Sequence, residues 1–164
     1  MKSKFLDIKK EKREKIISEV AEIFKDNGIA ILPTDTVYGI MTGAFNQQGQ
    51  KQIYKLKSRS ARKPLILLSD SIKDLAKFVV FPDKTAKIVK DFWPGPLTLI
   101  LPTTQLGKLL TAGRDDLGVR IPNCSLLLDI ISRYGMPLMS TSANISGKKS
   151  ASDAGTAKKN FSSK

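Results

Sequence analysis

The chain has 164 residues, and with 28 Lys+Arg against 15 Asp+Glu its formal net charge is +13. This length favours one compact domain with a real core, and the charge predicts an anionic partner such as a phosphate, a nucleotide or RNA. Histidine is absent and Cys124 is the single cysteine, which excludes disulfide frameworks, thiolate–imidazole clusters and Ser-His-Asp or Cys-His catalysis.

Helical and extended patterns alternate along the chain. Apolar residues recur at helical spacing after residue 8, and Asn27 followed by Gly28 is a typical left-handed helix end. A short apolar run then predicts a buried strand that ends at Pro33. In chain order we predict a helix at 8–27, a strand at 29–32, a helix at 48–56, a strand at 65–68, helices at 72–78 and 85–92, strands at 97–101 and 118–121, a helix at 126–134 and a strand at 137–139.

This mixture predicts an α/β sandwich with a mixed sheet and argues against a helical bundle or an all-β barrel. We expect one domain over residues 1–147. Residues 148–164 are rich in Lys, Ser and Ala and weakly patterned, so we expect a basic, flexible tail there.

A cationic group at 51–63 lies beside apolar residues that anchor it to the core. Lys57 and Arg59 are one residue apart, so in an extended segment their side chains point to the same side, as polyphosphate binding needs. The alternative is a solvated surface, because short Lys-x-Arg patterns are common in basic proteins. The group consists of Lys51, Lys55, Lys57, Arg59, Arg62 and Lys63.

Polar residues follow two of the predicted strands. Ser140, Ser142 and Asn144 alternate at a strand end, where α/β sheets often place ligands, and their hydroxyl and amide groups can bind phosphate, ribose or an amino-acid head group. A turn or helix cap is equally compatible with this composition. The Thr34–Thr36 segment likewise predicts either a structural turn or a polar pocket floor.

Arg120 stands in a short apolar strand between Val119 and Ile121. An arginine placed in this way needs an anion or a carboxylate to pair with. The sequence contains neither a Gly-x-x-x-x-Gly-Lys-Ser/Thr nor a Gly-x-Gly-x-x-Gly motif, so phosphates would have to be held by side chains.

No apolar run approaches the roughly 20 residues of a membrane span, and no leader-like apolar region begins the sequence. We therefore expect a cytoplasmic protein in a reducing compartment, without a membrane partner.

Taken together, these residues resemble the YrdC/Sua5 family, the threonylcarbamoyl-AMP synthases. Six motifs occur in order between about Gly28 and Gly147, and their order is more specific than any one of them. They are PTDTVYG at 33–39, IYKLKSR at 53–59, KPL at 63–65, FWPGPLTL at 92–99, GVRIP at 118–122 and TSANISG at 141–147.

The resemblance implies a YrdC-like open α/β fold, in which helices flank a twisted mixed β-sheet with a basic concave face. It implies synthesis of L-threonylcarbamoyladenylate from L-threonine, bicarbonate and ATP with release of pyrophosphate. That product serves the N6-threonylcarbamoyl modification of adenosine 37 in tRNA. ATP would be a substrate, Mg²⁺ would arrive with the nucleotide, and tRNA and the threonylcarbamoyl transferase complex are the implied partners.

Residue roles also follow from the resemblance. Lys57 and Arg59 would be the catalytic pair, and the implied ATP-binding residues are Lys57, Arg59, Lys63, Ser142 and Asn144. The implied threonine-binding residues are Thr36, Arg120 and Ser140, and no residue is assigned to a metal.

The chain departs from the family pattern in three places. Ser60 stands where a proline usually follows the Lys-x-Arg, and Cys124 stands where a histidine is common. The family's following segment, with a Ser-Thr-Val-x-Asp strand, has no counterpart, so we expect a short form that is a reduced member, a fragment or a protein that has lost full activity. The alternative function is a non-catalytic module that binds tRNA or double-stranded RNA, or assists ribosome assembly, through the same basic face.

Overall fold

The computed structural model describes residues 4–60 and 63–161. Arg62 of the cationic group and residues 162–164 of the predicted tail lie outside this part of the chain. The helices are α1 (Arg13–Lys25), α2 (Gln47–Lys57), α3 (Ile72–Leu75), α4 (Thr85–Phe92), α5 (Gln105–Leu110), α6 (Ser125–Tyr134) and α7 (Ala154–Phe161). The strands are β1 (Ile29–Leu32), β2 (Gly39–Gly43), β3 (Ile66–Leu68), β4 (Leu99–Pro102), β5 (Asp116–Arg120) and β6 (Leu138–Ser142).

The strands form one open sheet in the order β1-β2-β6-β3-β5-β4. Within the described residues, β3 and β5 pair in parallel and every other neighbouring pair is antiparallel. The predicted mixed α/β sheet is therefore confirmed.

Helices cover both faces of this sheet. Helix α1 places Ile17, Val20 and Phe24 in a cluster that includes Ile130 of α6 and Met41 of β2. The opposite face contributes residues such as Leu67 and Val119 to a second, larger cluster. The two clusters follow from the strand period of two, because successive side chains point to opposite faces.

Helix α1 ends as the sequence indicates. Asn27 has a positive φ of 58°, and the amide of Gly28 donates to the carbonyl of Ile23 at 2.7 Å. The helix begins at Arg13, later than predicted, because residues 8–11 form turns.

Within the described residues, the sequence did not predict three elements, namely β2, α5 and α7. Helix α7 stands where the sequence suggested a flexible tail. Its Ala157 is buried, and together with Ala151 it packs against Ala143 at the end of β6, with Tyr38 and Phe161 beside them. Small alanine side chains give a weak hydropathy signal but permit this close approach. The domain boundary at residue 147 stays a prediction.

Candidate functional site

The loop after β1 is shaped by one threonine side chain. The Oγ1 of Thr34 accepts hydrogen bonds from the amides of Thr36 (3.1 Å) and Val37 (3.2 Å) and donates to the Val37 carbonyl (2.6 Å). Serine and threonine hydroxyls commonly build such turns. The turn directs Asp35 and the Thr36 hydroxyl towards Arg120 at the end of β5.

Arg120 is 8% exposed, and a carboxylate pairs with it, which is one of the two kinds of partner that the sequence predicts. Its Nη2 donates to Oδ1 of Asp35 at 2.5 Å, and its Nε donates to the carbonyl of Gly95 at 2.9 Å. The Asp35 side chain is itself only 12% exposed. A buried arginine paired in this way is fixed in orientation.

Gly95 belongs to the loop after α4. The Gly95 amide donates to the carbonyl of Ile121 at 2.9 Å, and Ile121 is the residue that follows Arg120. Trp93 is joined to Pro94 by a cis peptide bond and donates its Nε1 hydrogen to the Leu97 carbonyl at 2.7 Å. The FWPGPLTL motif therefore supplies the backbone that holds Arg120 in place.

The guanidinium of Arg120 has more N–H donors than its protein partners use. Of its five N–H groups, one goes to Gly95 and one to Asp35, and both Nη atoms lie 3.4 Å from Oγ1 of Thr36, at the weak end of hydrogen bonding. Several N–H groups can therefore receive a ligand carboxylate beside the Thr36 hydroxyl.

These groups line a half-open pocket at the ends of β5 and β6. Ser140 and Ser142 of β6 face it together because alternate residues of a strand share a face. Ser140 is 3% exposed, and its hydroxyl makes no hydrogen bond to the described part of the chain. The lining consists of Thr34, Thr36, Val37, Gly39, Ile66, Leu68, Arg120, Pro122, Ser140, Thr141 and Ser142.

Lys57 lies outside the pocket lining, and its local structure differs from the prediction. It is the last residue of α2, and Ser58 after it has a left-handed backbone (φ 49°), so Lys57 and Arg59 do not alternate along an extended segment. The Lys57 side chain is 1% exposed. Its Nζ donates to the carbonyl of Ser142, to the carbonyl of Asn144 (2.7 Å) and to Oδ1 of Asn144 (3.2 Å).

Burial is the main reason that the pKa of Lys57 falls from its ordinary value to about 8, and the positive charge of Arg59 adds to the effect. The oxygens around its ammonium group are dipoles without a full charge. They satisfy its hydrogen bonds but do not fully replace water around a charge.

Asn144 completes the network around Lys57. Its Oδ1 also accepts the Ser142 hydroxyl at 2.6 Å, and its Nδ2 donates to the carbonyls of Ile145 (3.0 Å) and Lys148 (2.5 Å). The Ser-x-Asn motif thus builds a turn, and the same motif places Ser142 on the pocket wall.

Arg59 and Lys63 form a separate group on the outside. The Nε of Arg59 donates to the Lys63 carbonyl at 3.0 Å, and its Nη2 donates to the Pro64 carbonyl at 3.1 Å. Arg59 is half-buried and Lys63 is exposed, so both can meet an anion from solvent.

The structure therefore distributes the predicted site residues over three places. The pocket holds Thr36, Arg120, Ser140 and Ser142, the buried network holds Lys57 and Asn144, and the outer group holds Arg59 and Lys63. Sequence reasoning missed Asp35 as the partner of Arg120 and Gly95 as its acceptor. The acid between two threonines was the available signal for Asp35, whereas a backbone acceptor leaves no trace in a side-chain pattern.

Neither a metal cage nor a membrane-spanning helix occurs in the parts of the chain that the structure describes. No three His, Cys, Asp or Glu side chains at 4–60 and 63–161 are grouped as metal ligands. No helix within the same ranges has the length and apolar character to cross a membrane.

The fold and the pocket define a class of open α/β domains with a mixed six-stranded sheet. The family model Sua5/YciO/YrdC, described as "Telomere recombination", matches residues 22–164. The chain therefore belongs to the Sua5/YciO/YrdC family.

Individual relatives agree with this membership. The threonylcarbamoyl-AMP synthase of Bacillus subtilis is 38% identical over 141 residues, which cover 84% of this chain and 41% of that protein. The threonylcarbamoyl-AMP synthase of Psychromonas ingrahamii is 32% identical over 151 residues, covering 90% of this chain and 79% of that protein. The crystal structure of Pyrococcus abyssi Sua5 complexed with L-threonine is 33% identical with a TM-score of 0.84, covering 90% of this chain and 44% of that one.

The relatives differ in length. This chain spans about two fifths of the Bacillus subtilis and Pyrococcus abyssi proteins. The matched part is the domain that carries the pocket described above.

Proposed function

We propose that this protein synthesises L-threonylcarbamoyladenylate from L-threonine, bicarbonate and ATP and releases pyrophosphate. The product would serve the N6-threonylcarbamoyladenosine modification of tRNA, with the threonylcarbamoyl transferase complex as the partner that uses it. Relatives over the same domain are named threonylcarbamoyl-AMP synthases.

The observation that carries this proposal is the pocket at Arg120. A free amino acid with a hydroxyl side chain presents a carboxylate, an amine and a hydroxyl within a few ångströms. The pocket offers unfilled guanidinium N–H groups for the carboxylate and the hydroxyls of Thr36 and Ser140 for the other polar groups. The complex of Pyrococcus abyssi Sua5 with L-threonine supports threonine as the amino acid.

The chemistry matches the residues at hand. Bicarbonate carboxylates the neutral threonine amine: the C–N bond forms, a C–O bond of bicarbonate breaks, and water leaves. One oxygen of the resulting carbamate then forms a bond to the α-phosphorus of ATP, and the bond from that phosphorus to the oxygen shared with the β-phosphate breaks. The electron pair leaves with pyrophosphate, so negative charge grows on the leaving group. Half-buried Arg59 and exposed Lys63 provide positive charge to stabilise it, and positioning and electrostatics replace a covalent nucleophile.

Mg²⁺ would arrive with the nucleotide in this proposal. Within the described residues no cluster of three metal-ligating side chains exists, and the one carboxylate beside the pocket, Asp35, is paired with Arg120. This donor set does not form a dedicated Mg²⁺ cage, whereas phosphate oxygens are preferred ligands of the ion. When bound, the ion would neutralise charge on the pyrophosphate.

A second candidate function is RNA binding without catalysis. It is favoured by the net charge of +13 and by residues 36–69, which contain no Asp or Glu, with Lys51, Lys55 and Arg59 among their cations. Cations of this kind contact phosphate backbones and give strongly salt-dependent binding.

Pyrophosphate release with threonine, bicarbonate and ATP tests the proposal. We expect release only when all three substrates are present, and a loss of about 100-fold in Arg59→Ala, because preorganised charge at a leaving group contributes on the order of 3 kcal/mol. Lys55→Ala, which removes an exposed lysine of the preceding helix α2, is the matched control and should stay near wild type.

The possible outcomes separate the two functions. Full turnover in Arg59→Ala would remove Arg59 from the site, and release without threonine would reject the reaction. Salt-dependent tRNA binding with no affinity for ATP or threonine would select the RNA-binding function.

A further inference from the structure

We propose that Lys57 is a positioning residue: it fastens the end of α2 to the Ser142–Asn144 turn and thereby fixes the amino-acid pocket relative to Arg59. This inference rests on the proposed function, and it reassigns a residue that the family resemblance places at the ATP phosphates.

The hydrogen bonds of Lys57 carry the argument. An ammonium group has three N–H donors, and here three oxygens surround it, namely the carbonyls of Ser142 and Asn144 and the Oδ1 of Asn144. The backbone of Lys57 adds a fourth link, because its carbonyl accepts the amide of Ser146 at 2.9 Å. The side chain and the main chain of one residue thus hold the same turn.

Phosphate binding by Lys57 would require a rearrangement. The side chain is 1% exposed, so an ATP phosphate could reach Nζ only after the turn opened and at least one of the three acceptors lost its donor. The Ser142 carbonyl would keep the Asn144 amide as a donor at 3.0 Å, so the unfavourable loss falls on the buried Asn144 carbonyl. Arg59, in contrast, keeps N–H groups that its bonds to the Lys63 and Pro64 carbonyls do not use.

Lys57 lies between the pocket wall and Arg59, so its hydrogen bonds influence the proposed binding sites of both threonine and ATP. Ser142, whose carbonyl accepts from Lys57, lies on the pocket wall. Arg59 follows Lys57 by two residues, after the left-handed turn at Ser58. Loosening the Lys57 network would shift the pocket wall and the nucleotide-side arginine against each other. We therefore expect a mutation of Lys57 to lower the affinity for threonine even when no nucleotide is bound.

The test measures threonine binding calorimetrically in the absence of ATP. For a positioning residue we expect Lys57→Met to weaken threonine binding about 10-fold or more, with Lys55→Met as the matched control near wild type. Lys57→Arg should recover little, because a planar guanidinium does not match three convergent acceptors. A phosphate ligand would behave differently: threonine affinity would be unchanged in Lys57→Met and only the affinity for ATP would fall. That result would overturn the proposal.

A measurement on the wild-type protein covers the case in which Lys57→Met does not fold. The ¹⁵N and ¹H signals of the Lys57 ammonium group are followed by NMR while pyrophosphate is added. A positioning lysine keeps its signal and its slow proton exchange. A large pyrophosphate-dependent shift confined to Nζ would overturn the proposal.

Hydrogen exchange separates this inference from the proposed function. If wild-type protein binds neither threonine nor ATP, the proposed function fails. Amide exchange at residues 143–148 still decides the structural link. Faster amide exchange at residues 143–148 in Lys57→Met than in Lys55→Met supports the proposed link between α2 and the Ser142–Asn144 turn. Equal exchange in the two variants overturns it.

Discussion

Arg120 and Lys57 are two nearly buried cations of the same domain, but they have opposite kinds of partner. Arg120 pairs with the carboxylate of Asp35 and keeps N–H groups that face a pocket. Lys57 is surrounded by carbonyl and amide oxygens that take up its donors. The difference teaches that a buried cation serves a ligand only when its own network leaves donors free. Arg120 meets this condition and Lys57 does not.

The charge balance differs in the same way. The carboxylate of Asp35 compensates the charge of Arg120 inside the protein, so the two side chains can be buried together. Lys57 has no acid among its hydrogen-bond partners, and burial lowers its pKa to about 8. One cation thus keeps N–H groups for an anion, whereas burial makes the other easier to deprotonate than an ordinary lysine.

The largest effect is expected from Arg120→Ala. The variant removes the guanidinium that we propose binds the threonine carboxylate, and it leaves Asp35 buried without a partner, which costs about 3–5 kcal/mol. Threonine affinity should fall about 100-fold or more, measured by calorimetry at a temperature where circular dichroism shows the variant folded. Arg120→Lys keeps a charge without the fork and should lie between wild type and Arg120→Ala. Wild-type threonine affinity in a folded Arg120→Ala would contradict the assignment of the pocket.

A smaller effect is expected from Asp35, which orients Arg120 and should not itself contact the threonine carboxylate. Asp35→Ala removes the acceptor of Nη2, and we expect threonine affinity to fall about 10-fold, since one charge-assisted hydrogen bond contributes roughly 1.5–3 kcal/mol. Asp35→Asn retains an oxygen acceptor at the same position and should remain within about 3-fold of wild type. Equal losses in the two variants would show that the negative charge, and not the orientation of Arg120, is what matters.

Local patterns predicted much of the fold and part of the site. The apolar runs of β1 and β3 and the demand of Arg120 for an anion are properties of short segments, so they can be read from the sequence. Strand β2 contains Gly39, Thr42 and Gly43, and it is a strand because it pairs with β1 on one side and β6 on the other. The pairing with β6 depends on residues about one hundred positions away and leaves no local signal.

The placement of Lys57 was unpredictable for a related reason. Whether Lys57 and Arg59 point to the same side depends on the backbone between them, and Ser58 adopts a left-handed conformation that residue spacing does not reveal. The acceptors of Lys57 are mainly backbone carbonyls, which every sequence has. The Lys-x-Arg and Ser-x-Asn motifs are visible in the sequence, but their spatial relation required the structure.

The smallest effect is expected in the pH dependence of stability. The pKa of Lys57 is about 8 in the folded protein and has its ordinary value of 10.5 when unfolded, so between these values the unfolded chain binds more protons. The contribution of Lys57 to the free energy of unfolding therefore rises as the pH increases from about 8 to 10.5, and it is lost as the pH falls through 8. Urea unfolding of wild type and Lys57→Met at pH 7 and pH 9.5 measures it, because the difference between the two proteins cancels the titration of all other groups. Between pH 7 and pH 9.5, the free energy of unfolding of the wild type should increase relative to that of Lys57→Met by on the order of 1 kcal/mol. Lys55→Met is the control. A difference that is the same at both pH values would mean that the Lys57 ammonium group is as well solvated in the folded protein as in the unfolded chain, and the contrast with Arg120 would disappear.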